Sequence, residues 1–182
     1  MRRILDSTPY KPFISYIQPY LYLGNFEAAA NPISIINSDI ELIVSVTDKP
    51  EHRPSKNFCE EMHLNQILFE IPDAVFQDTE KRLTKIIFPA MAKSETNKQN
   101  MLVHCLASVS RSPSLVITYL MTQGMNFNDA FLSVMANHPL AAPAPEVLNS
   151  FLQCINAGLP EYYAEICRAR RSQLWWKKMI DR

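Results

Sequence analysis

A cysteine and an arginine, Cys105 and Arg111, stand at the two ends of a short loop and form the pair in this chain best suited to chemistry. Residues 101–104 before the loop read as a short apolar strand, and a helix with a proline in its first turn begins after it. Backbone N–H groups of a tight strand-to-helix turn point into one concavity, with the positive end of the helix behind them. The pattern therefore predicts a site for a phosphate-sized anion.

The same electrostatic field acts on the thiol of Cys105. A thiol at a helix N-terminus and near a guanidinium favours the thiolate, which is the nucleophilic form of cysteine. Arg111 carries a planar fork of N–H groups that can bind two oxygens of one phosphate, a geometry that lysine lacks. The residues between them are expected to complete the anion site: Leu106, Ala107, Ser108, Val109 and Ser110.

Apolar runs elsewhere predict the strands that must position this loop. Residues 20–24 and 40–46 read as strands, the second rich in β-branched side chains and therefore buried and parallel. A third run, residues 67–71, stops at Pro72. Asn25 is expected to cap a short helix after the first of these strands.

Helical periodicity dominates the second half of the chain. The helix behind the loop is apolar on most of its circumference, which predicts a central buried helix ending near Gly124. Three more helices are expected at about 127–138, 146–157 and 161–179. A helix before the loop strand begins near residue 79, and Pro89 should kink or interrupt it.

Length and composition are those of one globular domain. The chain has 182 residues, of which 47% are hydrophobic and 20% charged, and a formal net charge of zero, which argues against a strongly basic nucleic-acid-binding protein. Its four cysteines show neither zinc nor disulfide spacing, and no apolar run is long enough to span a membrane. The sequence thus predicts a soluble protein of the cytoplasm, with the nucleus as an alternative location.

The loop and the helix behind it resemble those of a known protein family. His104 to Arg111 fit the Cys-x5-Arg pattern, and Ser112 with the Ser-Pro-Ser-Leu-Val-Ile-Thr-Tyr-Leu-Met run resembles the dual-specificity branch of the cysteine-dependent protein phosphatases, specifically its small atypical members. The resemblance covers about 20–157. It implies an α/β fold of the protein-tyrosine-phosphatase type, with a central, mostly parallel sheet of about five strands flanked by helices. It also implies a phosphorylated protein as substrate, a phosphocysteine intermediate, no cofactor and no metal.

The expected division of the chain follows from this resemblance. Residues 1–19 form an extended lead-in, 20–160 the phosphatase domain, and 161–182 a basic, aromatic helix packed on that domain or extending it. Trp175 and Trp176 in this helix are expected to pack on the core, with a membrane or partner contact as the alternative. The isolated His52 and His63 are interpreted as surface or core residues rather than metal ligands.

The resemblance also assigns roles to individual residues. A general acid must protonate the leaving oxygen, and Asp73 is the candidate because it follows a strand end, 105 − 73 = 32 residues before the cysteine, a spacing similar to that of the family. Asp78 is the alternative acid or a helix cap. Ser112 resembles the hydroxyl that donates to the cysteine sulfur, and His104 resembles the residue that orients the loop from behind.

Two departures from the family bear on activity. Ser108 stands where dual-specificity phosphatases usually have glycine, so a side chain could narrow the anion site, and activity is expected to be intact or reduced. In residues 141–145 relatives more often have arginine and asparagine, so supporting hydrogen bonds are expected to be missing. The loop interior carries no Lys or Arg, which favours phosphoproteins over more highly charged substrates.

Three functions remain open on the sequence alone. The first is an active phosphotyrosine and phosphoserine/threonine phosphatase. The second is a phosphate-binding pseudophosphatase whose turnover is weakened by Ser108. The third is a rhodanese-like sulfurtransferase, which also uses a loop cysteine but needs neither Asp73 nor a hydroxyl after the arginine.

Overall fold

The computed structural model describes residues 11–71 and 79–180, with side chains described as far as residue 173. Five strands form one sheet in the order β1-β2-β5-β3-β4. Their bounds are Ile14–Gln18 (β1), Leu21–Asn25 (β2), Ile40–Val46 (β3), Asn65–Phe69 (β4) and Asn100–Cys105 (β5). Only β1 runs antiparallel to its neighbour, so the predicted central, mostly parallel sheet of about five strands is confirmed.

Helices cover both faces of this sheet. Those before β5 are α1 (Phe26–Ala29), α2 (Pro32–Asn37), α3 (Lys56–Glu61), α4 (Thr79–Arg82) and α5 (Phe88–Thr96). Those after it are α6 (Arg111–Thr122), α7 (Phe127–Asn137), α8 (Pro145–Gln153) and α9 (Glu161–Ile180). A 3-10 turn, Pro50–His52, follows β3.

Side-chain alternation along the central strands separates two apolar cores. In β5, Met101, Val103 and Cys105 face the larger core, which α5 to α9 complete. Leu102, which points the other way, packs in the smaller core under α1, α2 and α3. Successive residues of a strand point to opposite faces, so Cys105 lies on the α6 side and His104 on the α1 side.

The helix behind the loop is the most deeply buried helix of the larger core. Every residue of α6 from Ser112 to Leu120 is buried, as the apolar circumference of this segment predicts. The helix ends at Thr122, and Gly124 follows with a positive φ of 95° that suits glycine. A buried helix therefore supports the end of the loop that carries Arg111.

The structure adds a strand that the sequence did not predict and gives the form of the helix interruption expected at Pro89. The sequence did not predict β1, because Pro12 and Pro19 flank it and proline weakens a strand assignment. Residues 14–18 nevertheless pair with β2 as an antiparallel hairpin. The interruption expected at Pro89 takes the form of a π-helical turn, Leu83–Ile87, in which the N–H of Phe88 bonds to the carbonyl of Leu83. Proline lacks an N–H, and a wider turn just before it absorbs the lost helical bond.

Candidate active site

The candidate site lies where three neighbouring parallel strands end. Cys105 is the last residue of β5, and Asp48 follows the adjacent β3 by two residues. The next strand along, β4, ends at Phe69, four residues before Asp73. Because carboxyl ends of parallel strands share one edge of a sheet, the ends of β5, β3 and β4 lie at the same edge. The segment that contains Asp73 and Asp78 lies outside the described residues.

The carbonyl oxygens of the loop are held from outside it. The carbonyl of Leu106 accepts from the N–H of Phe26 at 3.1 Å, and the carbonyl of Val109 accepts from the N–H of Ala142 at 2.7 Å. The carbonyl of Ser110 accepts from the N–H of Ser114 at 3.0 Å. These three bonds fix the orientation of three successive parts of the loop.

Fixing the carbonyls also fixes the N–H groups. In a planar trans peptide the N–H points opposite to the preceding C=O, so the N–H groups of Ala107, Ser110 and Arg111 are turned away from the anchoring contacts. Within the described part of the chain, no acceptor binds the N–H of any residue from 106 to 110. The loop thus presents unpaired donors, which is what an anion requires of a binding site.

The sulfur of Cys105 lies at the base of this loop. The residue is 3% exposed, and its Sγ accepts a hydrogen bond of 3.2 Å from Oγ of Ser112, in the first turn of α6. A second hydroxyl, Oγ of Ser108, lies 3.5 Å from Oγ of Ser112. The sulfur is therefore in contact with a donor that can stabilise negative charge on it.

His104 supports the loop from the opposite face of the sheet. Its Nδ1 lies 3.4 Å from the carbonyl of Cys105, and its Nε2 lies 2.7 Å from Oγ of Ser45. A carbonyl only accepts, so Nδ1 carries the proton and Nε2 accepts from Ser45, whose oxygen in turn accepts from Gln66 at 3.3 Å. Burial lowers the pKa of His104 to about 4, although the carbonyl bond opposes this, so the ring is neutral.

Arg111 is held by a carboxylate. Its Nη1 lies 3.1 Å from Oδ1 of Asp48, and the two side chains are 17% and 28% exposed. A single contact of this kind orients the guanidinium and leaves further N–H groups for a ligand. Asp48, in the loop that follows β3, therefore orients the guanidinium of Arg111 at the start of α6.

Ser108 adopts the backbone conformation that glycine usually takes. Its φ is 55°, and the residue is fully buried. Its carbonyl accepts from Nε2 of His138 at 3.0 Å, and Nδ1 of His138 lies 2.9 Å from Oγ of Ser15 in β1. Burial lowers the pKa of His138 to about 4, with the carbonyl bond opposing, so a neutral ring donates to the loop and accepts from Ser15.

The expected loss of support in residues 141–145 is not what the structure shows. Ala141 and Ala142 are fully buried, and the backbone of this segment makes the contacts: the N–H of Ala142 bonds to Val109, and the N–H of Ala144 donates to Oγ of Ser110 at 2.8 Å. Backbone N–H groups need no particular side chain, so alanines can fill these positions.

Sequence reasoning missed two residues of this site, Asp48 and His138. Asp48 carried a usable signal, since it lies two residues after a predicted buried parallel strand, and such positions meet at one sheet edge. His138 carried none, because its partners Ser15 and Ser108 are 123 and 30 residues away in sequence.

Comparison with known proteins decides the family. The model of the family described as "Dual specificity phosphatase, catalytic domain" matches residues 21–156, which is most of the chain. The chain belongs to the dual specificity phosphatase family. Its resemblance to the small atypical members is borne out by mouse dual specificity protein phosphatase 22, which is 32% identical over 133 residues, 71% of this chain and 67% of that protein.

Two further comparisons point to the same family and fold. Mouse dual specificity protein phosphatase 15 is 29% identical over 130 residues, 71% of this chain, and the chain spans only 52% of its length. The crystal structure of human DUSP28 superposes with a TM-score of 0.66 at 22% identity, covering 83% of this chain and all of that one. This structure confirms the protein-tyrosine-phosphatase-like fold.

The described residues contain neither a membrane-spanning helix nor a metal-binding cluster. No helix among them is long and apolar enough to cross a membrane. Nor do residues 11–71 and 79–180 hold a cluster of three or more His, Cys, Asp or Glu side chains that could bind a metal ion.

Proposed function

We propose that this chain hydrolyses phosphate monoesters on proteins, both phosphotyrosine and phosphoserine or phosphothreonine, through a phosphocysteine at Cys105. The observation that carries the proposal is the loop between Cys105 and Arg111, whose carbonyls are anchored outward while its N–H groups remain unpaired among the described residues. Membership of the dual specificity phosphatase family supports the same reaction.

The first step transfers the phosphoryl group to sulfur. The thiolate of Cys105 attacks phosphorus and the ester P–O bond breaks, while Arg111 and the loop N–H groups hold the non-reacting oxygens. The departing oxygen takes a proton from a general acid, for which Asp73 is our candidate. The product of this step is the dephosphorylated protein and a phosphocysteine.

The second step releases phosphate. Water attacks phosphorus, its proton passes to the carboxylate formed in the first step, and the S–P bond breaks. The sulfur leaves as a thiolate, and the hydroxyl of Ser112, 3.2 Å from it, donates to the developing charge. Inorganic phosphate and the free thiolate of Cys105 complete the cycle.

Hydrolysis of two aryl phosphates, with a good and a poor leaving group, tests this proposal. Cys105→Ser should abolish turnover, and Arg111→Lys should lower kcat/KM by about a hundredfold or more because lysine cannot bind two oxygens. Asp73→Asn should lower kcat by about a hundredfold for the poor leaving group and much less for the good one. Asp78→Asn is the matched control.

Two outcomes would count against these assignments. Undiminished turnover by Cys105→Ser would remove the phosphocysteine from the mechanism. A leaving-group-dependent loss in Asp78→Asn, with Asp73→Asn like wild type, would transfer the role of general acid to Asp78.

A second candidate function rests on Ser108 alone. A side chain in a left-handed backbone conformation, φ 55°, within the anion loop could leave a protein that binds phosphate and turns it over poorly. Phosphopeptide binding by a wild-type protein without Cys105-dependent turnover, together with turnover in Ser108→Gly, would establish this pseudophosphatase function instead.

A further inference from the structure

One irregular segment supports the anion loop from behind. Residues 138–144, here called the brace, connect α7 to α8. They contact the loop three times, through Nε2 of His138 on the carbonyl of Ser108, through the N–H of Ala142 on Val109, and through the N–H of Ala144 on Oγ of Ser110. The geometry of the loop therefore depends on the position of the brace.

The brace is in turn bound by two arginines of α9. Nε of Arg170 donates to the carbonyl of Ala141 at 2.9 Å, and its Nη2 donates to the carbonyl of Pro139 at 3.1 Å. Nη1 of Arg171 donates to the carbonyl of Ala142 at 3.0 Å. Ala142 thus links α9 directly to the loop, because its carbonyl binds Arg171 and its N–H binds Val109.

The packing of α9 directs these arginines toward the brace. Ala164 and Cys167 are buried, at 4% and 0% exposure, and the ring of Tyr163 lies 5.0 Å from that of Phe131 in α7. Arg170 and Arg171 follow Cys167 by three and four residues, so they lie on the buried face of the helix. Both are partly buried, as expected for side chains that bind backbone rather than solvent.

The third arginine of this stretch has a different environment. Nη1 of Arg168 pairs with Oε1 of Glu161 at 2.8 Å, within the same helix, and its side chain is 55% exposed. Hydrogen bonds from charged donors to backbone carbonyls are stronger than neutral ones, whereas an exposed ion pair contributes little. Arg168 is therefore a natural control for its two neighbours.

We propose that α9 stabilises the geometry of the anion site, and that Arg170 and Arg171 are positioning residues for the loop. They act through the brace and do not touch the phosphate. The proposal rests on the proposed function in one respect, since it takes the loop at Cys105 as the phosphate site. It extends that site to residues 170 and 171, beyond the region 21–156 that the family model matches.

Substitution by lysine should have different effects at Arg170 and Arg171. Arg170 bonds to two carbonyls through two nitrogens, a fork that lysine cannot reproduce, whereas Arg171 makes one bond that a lysine ammonium can replace. A role limited to charge on the surface of α9 would give the same result at both positions.

Protection of Cys105 from iodoacetate by inorganic phosphate measures the affinity of the loop, with the alkylated peptide identified by mass spectrometry. We expect Arg170→Met and Arg170→Lys to weaken phosphate protection by about tenfold, and Arg171→Met by a similar factor. Arg171→Lys and the control Arg168→Met should protect as wild type does. Thermal unfolding of each variant, and kcat and KM for an aryl phosphate, are measured on the same protein samples.

Each result has a distinct meaning. Wild-type phosphate affinity in both Arg170→Met and Arg171→Met would overturn the proposal, as would a lowered unfolding temperature with unchanged affinity. Equal losses in the Arg168 control would overturn it as well. Phosphate protection in a wild-type protein without Cys105-dependent turnover would sink the proposed hydrolysis alone, and the arginine variants would still be decisive.

Discussion

At the scale of single residues, the candidate site depends on hydroxyl groups around one sulfur. Ser112 donates to Cys105, and Ser108 lies beside Ser112. A hydroxyl that contacts the sulfur before reaction can also stabilise the thiolate that leaves in the second step. Its main effect is therefore expected on hydrolysis of the phosphocysteine rather than on its formation.

Ser112→Ala should lower kcat by about ten- to a hundredfold, which corresponds to losing one hydrogen bond to a charged sulfur. Pre-steady-state measurement with an aryl phosphate should then show a burst of phenol release, because the second step becomes limiting. Thr118→Val is the control, since Oγ1 of Thr118 bonds within α6 to the carbonyl of Ser114. A rate loss without a burst would assign Ser112 to the first step.

Ser108→Gly should raise the free energy of unfolding by about 1 kcal/mol, because glycine adopts a φ of 55° without the steric penalty of a Cβ. Denaturant unfolding measures this change. Ala107→Gly, next to it and without a positive φ, should instead lower stability by about 0.5 to 1 kcal/mol. Equal shifts in both variants would show that Ser108 is unstrained.

At the scale of elements, the junction of β2 and α1 joins the N-terminal strand to the anion loop. Asn25, 2% exposed, caps α1 by accepting from the N–H of Ala28, and it also binds the backbone at Phe13 and Lys11. The next residue, Phe26, donates to the loop carbonyl of Leu106. The amide of Asn25 therefore joins α1 to residues 11–13, and the neighbouring N–H of Phe26 joins the same junction to the loop.

Asn25→Ala should lower the free energy of unfolding by about 2 to 3 kcal/mol, because it leaves buried backbone groups without partners. Asn31→Ala removes the corresponding cap of α2 at a more exposed position, and should cost about 1 kcal/mol or less. Denaturant unfolding compares the two. Similar losses would show that the contacts of Asn25 with Phe13 and Lys11 contribute nothing beyond the cap.

At the scale of the whole molecule, two buried neutral histidines make stability depend on pH. Burial lowers the pKa of both His104 and His138 from 6.5 to about 4. Below pH 6.5 the unfolded chain therefore binds protons that the folded protein does not bind until about pH 4. Stability is fully present above pH 6.5 and falls as the pH drops through this window.

The free energy of unfolding should fall by about 2 kcal/mol per histidine between pH 7 and pH 5. Denaturant unfolding at a series of pH values measures this slope, with activity followed in parallel. His138→Gln can keep a donor for the carbonyl of Ser108 without titrating, so its slope should be about half that of the wild type. An unchanged slope in this variant would exclude His138 as a source.

Local patterns predicted the parts of the fold that depend on local physics. The anion loop, the buried strand β3, the cap at Asn25 and the buried helix α6 all follow from short-range periodicity and turn chemistry. The contacts of His138, Arg170 and Arg171 did not, because each joins segments that are distant in sequence. The strand β1 pairs locally with β2 and was missed for another reason, since prolines flank it. Asp48 combines both kinds of feature. Its position after β3 could be predicted from the local sequence, but its contact with Arg111 could not.

The phosphocysteine itself is the most direct test of the mechanism. Acid quenching of the reaction with an aryl phosphate, followed by peptide mapping, locates any phosphoryl group. Ser112→Ala should favour its accumulation. We expect the adduct on the peptide that contains Cys105, and none in Cys105→Ser. Two results together would contradict the mechanism: no adduct at Cys105 in the wild-type protein during turnover, and an equal rate of aryl phosphate hydrolysis in Cys105→Ser.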